Sequence, residues 1–476
     1  MPAFRFLCAA LCTLLLFAGC QQPTVARLPP FDLAIENITP VDAFDGTGTP
    51  STVLLRGNVI AAVVAADTPL PPTVPRIDGR DRFLIPGLWD MHVHITYEPA
   101  LNDHFAALLL DYGITSVRDT GGVLPVLLPA VERWVNADVP TPHLYWSGPL
   151  LDGRLVVYDG NDRPLIGVQN ASADGAAARV KELKARGASF IKIYEMVEDP
   201  VFDALVAAAR AENLPIAAHI PLAVDALKAG PELQSLEHLR NLDLACSEDA
   251  EALLAQRRNT IAGTPNGAGF KLRSALHREQ RRKAQEGLTV TSRRCEAVMT
   301  AFANTVHVPT LRLNTISRFS PLHRSDWQTA LEDLPTVLAE GWLGQATYFA
   351  GRATPVSLNN ADWSLALTQA LASRGTTIGA GTDSPIAQSI PGYALHTELE
   401  RLVDAGLSPR EALAAATVAP SRFFGWAETR AGRVAAEHPA DLIVLSANPL
   451  EDITNTRRIE TVILNGRVVR GAVNDE

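Results

Sequence analysis

His92-Val93-His94 sets two imidazoles two residues apart at the end of an apolar run, and on a β-strand that spacing turns both to one face. Neutral imidazole nitrogens are good ligands for divalent metals, although such a pair also occurs as a hydrogen-bonded structural pair. Lys192 lies in Phe190-Ile191-Lys192-Ile193-Tyr194, where apolar neighbours imply burial of an ammonium with no evident partner in sequence. Such a lysine must pair, lose its proton or be chemically modified; the neutral amine that burial favours reacts with carbon dioxide, and N6-carboxylation of Lys192 would give a metal-bridging oxygen pair. His219 ends Ala217-Ala218-His219, His238 ends Leu236-Glu237-His238, and Asp383 ends Gly379-Ala380-Gly381-Thr382-Asp383. One or two divalent cations held by these nitrogens and oxygens would acidify a water molecule and polarise a carbonyl, with zinc the first expectation. Asp383 is the candidate both to ligate a metal and to pass a proton from the attacking water to a leaving nitrogen. Tyr194 shares the face of Lys192 and is a candidate donor to a developing oxyanion, or else a hydroxyl satisfied within the barrel.

The elements that must position these groups are parallel strands. Eight apolar, strand-like runs, most followed by a helical stretch, are Leu84 to His94, Ile114 to Asp119, His143 to Ser147, Ser189 to Tyr194, Pro215 to His219, Leu233 to His238, Thr305 to Leu311 and Thr376 to Asp383. Their alternation with helices such as Ala171 to Arg186 and Val201 to Asn213 predicts an α/β fold, a TIM-like (β/α)8 barrel over 86–429. Short β-rich pieces separated by turn signals in 31–85, and the strand and Asn465-Gly466 hairpin patterns in 430–476, predict one small β-sandwich built from both terminal segments. A mixed-charge helical insertion is expected at about 241–304, its charges marking a solvated face.

With 476 residues, 47% of them apolar, the chain can bury a large core and a satellite domain. The net charge of -10 and the lack of clustered Lys and Arg argue against a nucleic-acid partner. Arg5, the apolar run Phe6 to Phe17 and Ala18-Gly19-Cys20 resemble a bacterial lipoprotein signal at 1–20, with Cys20 the lipidated residue and 21–30 a tether. The run is too short to span a bilayer, so the membrane enters only through a lipid anchor. Gln21 rather than Asp after the cysteine points to the outer membrane, facing the periplasm. Cys246 and Cys295 then remain, as two buried thiols or as a disulfide that an oxidising envelope permits.

Pro86-Gly87-Leu88-Trp89-Asp90-Met91-His92-Val93-His94 resembles the opening signature of the amidohydrolase superfamily, and the order of the later residues matches as well. The resemblance implies that His92, His94, Lys192 in carboxylated form, His219, His238 and Asp383 bind one or two metals in a hydrolase of amide-type C–N bonds. Val308-Pro309-Thr310-Leu311 and Leu407-Ser408-Pro409 are similar to the branch that holds imidazolonepropionases and prolidase-like dipeptidases. The expected substrate is a small amide or peptide-like molecule: a dipeptide, an N-acyl amino acid or a cyclic amide. Two departures weaken a peptide assignment. Gly148-Pro149-Leu150-Leu151 stands where many dipeptidase-like members carry Thr-Gly-Gly-His, and Ile220-Pro221 follows His219 where relatives often place another His.

The same centre would also serve an esterase, lactonase or phosphoester hydrolase, and a non-catalytic binding protein on this barrel is the third reading. Arg118-Asp119 reads as a substrate contact or a structural ion pair. His104, His143, His277, His307, His323, His396 and His438 fall outside the ligand pattern. Oligomeric state is left open, a homo-oligomer being one option.

Overall fold

The computed structural model describes residues 28–161, 163–284, 288–427 and 432–472; the expected signal, Cys20 and the tether as far as residue 27 lie outside them. Among the described residues no helix is long and apolar enough to cross a membrane.

Strands from the two terminal segments share one sheet. Its order is Arg467–Arg470, Ile459–Leu464, Leu442–Leu445, Phe83–Pro86, Leu33–Asp42, Ser51–Arg56, Val59–Ala65, and Gly46–Thr47 and Arg76–Asp78 also pair with Leu33–Asp42. The sequence predicts a sandwich, and the ladders join the strands in one nine-stranded sheet, seven of them on a single path and two branching from Leu33–Asp42. Leu33–Asp42 is the reason: its register shifts between Ile35 and Ile38, where Asn37 has φ 56°, so its first part pairs with Ser51–Arg56 and its later part with Phe83–Pro86. One apolar cluster joins Ile35, Val53, Leu55 and Ile60 to Leu442, Val444 and Ile463, so both terminal segments close on the same core. Asn465 and Gly466, both at positive φ, make the tight turn before the last strand.

The run Leu84 to His94 is not one strand. Phe83–Pro86 belongs to the terminal sheet, antiparallel to Leu442–Leu445, whereas Leu88–Val93 pairs in parallel with Ile114–Asp119. The break falls at Gly87, where a Cβ would lie 2.2 Å from the Thr115 hydroxyl oxygen.

The barrel-forming strands make two parallel arcs. One contains Leu88–Val93, Ile114–Asp119 and His143–Trp146; the other runs Gly167–Val168, Leu150–Leu151, Ile191–Ile193, Ile216–Ala218, Ser235–Glu237, Val306–Val308. Among the described residues they do not form one closed ladder. The eighth predicted run, Thr376 to Asp383, links them through single bridges, Ile378 to His307 and Ser384 to Val93, and Ser189 N–H donates to the Trp146 carbonyl on the other side. Gly381 explains why that run is so irregular: a Cβ there would meet the His92 backbone nitrogen at 3.0 Å and a Val308 methyl at 2.6 Å.

Helices Ala173–Ala185 and Asp199–Ala211 flank the second arc; the first is capped by Ser172, whose Oγ accepts from Gly175 N–H. The insertion is helical: Leu242–Cys246, Ala250–Gly263, Gly269–Ala284 and Arg293–Ala301. A disulfide between Cys246 and Cys295 joins its first helix to its last across 49 residues. Its charges do not all face solvent. Arg257, His277 and Gln280 are buried, because the helix Gly269–Ala284 packs over Tyr194 and Met196 through Leu276 and turns its polar face toward the strand ends.

Candidate metal centre

Alternation on Leu88–Val93 and the residue after it aims His92 and His94 to one face, and each Nε2 lies 3.2 Å from Asp383 Oδ1. His238 Nε2 is 4.0 Å from the same oxygen, and the His219 ring centroid is 5.0 Å from that of His238. Ligand atoms of His92, His238 and Asp383 all fall within 4.8 Å of one another. The backbone is strained to achieve this. His238, Thr310 and Asp383 have φ of 59°, 46° and 61°, left-handed conformations that cost about 1–2 kcal/mol each in a non-glycine residue.

The outer nitrogen of every ring is committed elsewhere. His94 Nδ1 lies 3.1 Å from the Gly121 carbonyl, which can only accept. His92 Nδ1 meets Glu237 at 2.6 Å and His219 Nδ1 meets Glu195 at 3.0 Å. Both carboxyls sit well below the usual carboxylate range: burial opposes this, but Arg118 and Lys192 outweigh it at Glu237, and Arg273, His277 and Arg240 at Glu195. Ionised carboxylates accept, so these Nδ1 atoms donate. His238 Nδ1 lies 2.7 Å from the Thr310 hydroxyl, whose own hydrogen goes to the Pro309 carbonyl, so His238 donates as well. All four rings therefore carry a proton on Nδ1, and the Nε2 atoms of His92, His94 and His238 face Asp383.

Among the described residues, Asp383 Oδ1 and Lys192 Nζ are buried without a hydrogen-bond partner. Burial, reinforced by Arg118 and opposed by Glu237, lowers the Lys192 pKa to about 7. Imidazole lone pairs and an ionised oxygen converging without a donor between them fit a divalent cation, and the poised amine of Lys192 fits carboxylation. Tyr194 lines the same cavity as Lys192, its ring 4.5 Å from that of His219.

Of the supporting groups, the sequence singles out only Arg118 and Asp119, as a substrate contact or a structural ion pair. Arg118 is fully buried and pairs not with Asp119 but with Glu237, at 2.7 Å, while donating to Ser235 Oγ and the Met91 carbonyl. Asp119 accepts the N–H of Ile95 and of Gly121, so it fixes the carbonyl that holds His94. Asp90, pushed up to about 7 by burial, accepts from the Thr382 N–H and hydroxyl and thereby ties the first strand to the segment bearing Asp383. Arg118 and Glu237 each have one apolar and one polar neighbour, Val117 and Asp119 for the first and Leu236 and His238 for the second, so the apolar flanks that single out Lys192 do not mark them. Glu195, Thr310 and Arg273 carried no comparable signal. Among the remaining histidines, His143 pairs with Asp441 and His396 with Thr456 and the Tyr112 carbonyl, both as structural contacts.

A cavity of about 210 Å³ opens on this cluster, walled by Leu150, Tyr158, Ile166, Arg240, Arg273, Leu313 and Ile386. Parallel α/β arcs that carry a histidine–carboxylate cluster at their strand ends define a metal-binding hydrolase. The sequence pattern of the amidohydrolase family matches residues 83–469, and the chain belongs to that family: it is an enzyme of the class that hydrolyses carbon–nitrogen bonds. The adenine deaminase of Desulfatibacillum aliphaticivorans is 32% identical over 144 residues, which cover 27% of this chain and 24% of that protein, so the match spans about a quarter of this curated relative. Among solved structures, a Xaa-Pro dipeptidase with methionine bound in its active site is similar over 92% of this chain and 100% of its own, with TM-score 0.64 and 19% identity. Bottromycin amidohydrolase is similar over 92% of this chain and 87% of its own, with TM-score 0.66 and 23% identity. At these identities the likeness establishes the fold.

Proposed function

We propose that this enzyme cleaves the amide-type C–N bond of a small molecule, a dipeptide, an N-acyl amino acid or a cyclic amide, with water activated at a zinc centre of one or two ions. One observation carries the reading: His92, His94, His219 and His238 all have Nδ1 committed to an acceptor, and Nε2 of His92, His94 and His238 lies within 4.0 Å of Asp383 Oδ1. His92, His94, His219, His238, Asp383 and a carboxylated Lys192 would hold the metal. The chemistry supplied by such an ion when bound is polarisation of the scissile carbonyl and acidification of water. Asp383, ionised and without a donor of its own, takes the proton of the attacking water and hands it to the leaving nitrogen. Tyr194 donates its hydroxyl to the oxygen on which charge develops; burial holds its pKa well above the ordinary value, so the proton is present at neutral pH. In the cell the enzyme is an outer-membrane lipoprotein anchored through Cys20 and facing the periplasm.

The test is the metal-to-protein ratio of the mature chain beside Lys192→Ala, followed by a screen of dipeptides, N-acyl amino acids, cyclic amides, esters and lactones. About two metals per chain, falling in the variant, and turnover of an amide support the reading. A metal-free protein, or turnover of esters and lactones alone, overturns it.

A further inference from the structure

Two guanidinium groups on the cavity wall face one buried carboxylate. Arg240 follows the ligand His238 by two residues, and Arg273 comes from the insertion helix Gly269–Ala284; both line the cavity. Both face Glu195, which is fully buried. Arg273 takes it, with Nη2 and Nε at 3.0 and 3.2 Å from Oε1. Arg240 is left over: its Nε is 3.6 Å from the same oxygen, and its side chain makes no hydrogen bond with any described residue although 82% of it is buried, its exposure being 18%. Among the described residues no other carboxylate lies within 4.0 Å of Arg240. His277 also reaches Glu195, its Nε2 at 2.8 Å from Oε2. Two guanidinium groups thus share one carboxylate at the rim of the catalytic cluster, and a guanidinium offers five donors in a planar fork suited to a carboxylate.

We propose that Arg240, backed by Arg273, is the subsite for a carboxylate of the substrate, so that the compounds hydrolysed are acids, N-acyl amino acids or dipeptides with a free carboxylate close to the scissile bond, rather than neutral cyclic amides. This rests on the amide-hydrolase reading and narrows it. Leu150, Ile166, Leu313 and Ile386 on the same wall take the apolar part of the ligand. The carboxylate supplies the partner that Arg240 lacks, and Arg240 is a specificity-determining residue that leaves the proton transfers to Asp383.

The test uses two probes without a hydrolysable bond, hydrocinnamate and hydrocinnamyl alcohol, titrated calorimetrically into the protein as purified with its metal. Wild type is expected to bind the acid about 10- to 100-fold more tightly than the alcohol, the range of a charge-assisted hydrogen bond. Arg240→Met abolishes that preference and leaves alcohol binding unchanged, and Arg240→Lys restores part of it. Equal affinities in wild type, or a preference that survives Arg240→Met because the metal itself holds the carboxylate, overturn the proposal. The wild-type comparison decides even where a variant fails to fold. Turnover is scored separately: acid-selective binding without hydrolysis of any amide refutes the hydrolase reading alone, and hydrolysis of acids and neutral amides alike refutes the subsite alone.

Discussion

In the metal-stripped protein, Lys192→Met should raise stability at neutral pH and do so by an amount that depends on pH. The Lys192 ammonium is fully buried without a partner, and burial takes its pKa from an ordinary 10.5 to about 7. The unfolded chain keeps the ordinary value, so the unfolded state binds the proton more tightly. For a group depressed on folding, stability is complete above the unfolded pKa and is lost as pH falls toward the folded one. The window here runs from 10.5 down to about 7, below which the deficit is constant. At about 1.4 kcal/mol per tenfold change in proton affinity, the fall from 10.5 to about 7 amounts to about 5 kcal/mol near neutrality. Methionine fills similar volume without charge and escapes that cost. Thermal midpoints of wild type and variant, after chelator dialysis and in buffers depleted of carbon dioxide, are compared from about pH 7 to about pH 10. The variant should lead by several kcal/mol at the low end and the difference should shrink toward zero at the high end. A variant less stable at neutral pH, or a difference flat across the range, would refute the assignment of an unpaired buried amine. With metal restored the order reverses, because the variant lacks a ligand.

The remaining predictions concern the groups behind the ligands. Glu237→Gln leaves the Arg118 guanidinium buried without its counter-charge and should cost about 3–5 kcal/mol in thermal denaturation, with reduced metal content. Thr310→Val removes the acceptor that orients His238 at little change in volume; metal affinity, read by competition with a chromophoric chelator, should fall about 10- to 100-fold while the fold persists. Asp383→Asn should keep substantial metal and lose turnover by about 100-fold or more, so normal activity in that variant excludes it as the proton carrier. Reduction of Cys246–Cys295, which closes a 49-residue separation, should lower stability by about 2–4 kcal/mol; two free thiols in the denatured, unreduced protein would show that the bond is absent.

The gathering of His92, His94, Lys192, His219, His238 and Asp383 around one cavity was legible because period-two alternation and strand ends decide where a side chain points. Their supporting contacts were not, because they depend on which strands become neighbours. Glu237 reaches His92 across the barrel, and Thr310 reaches His238 from a segment far along the chain. The strand Phe83–Pro86 reads in sequence as continuous with Leu88–Val93, since the apolar pattern does not register the clash that only Gly87 relieves against Thr115. Likewise the insertion looks solvated by composition; Arg273 and His277 turn inward only because Glu195 waits there, a charge complement that no local pattern contains.

The place of Phe83–Pro86 in the terminal sheet has a consequence for biosynthesis. Its antiparallel partner Leu442–Leu445, and Ile459–Leu464 beyond that, leave the ribosome long after it does. Until then Phe-Leu-Ile presents one unpaired edge, a sticky segment in a nascent chain and one whose closure needs contacts of very long range. Immediately after it, past Gly87, begins the strand that carries His92 and His94. A chain that stops short of the last strands therefore leaves Phe83–Pro86 with an unpaired edge at the base of the strand that carries His92 and His94.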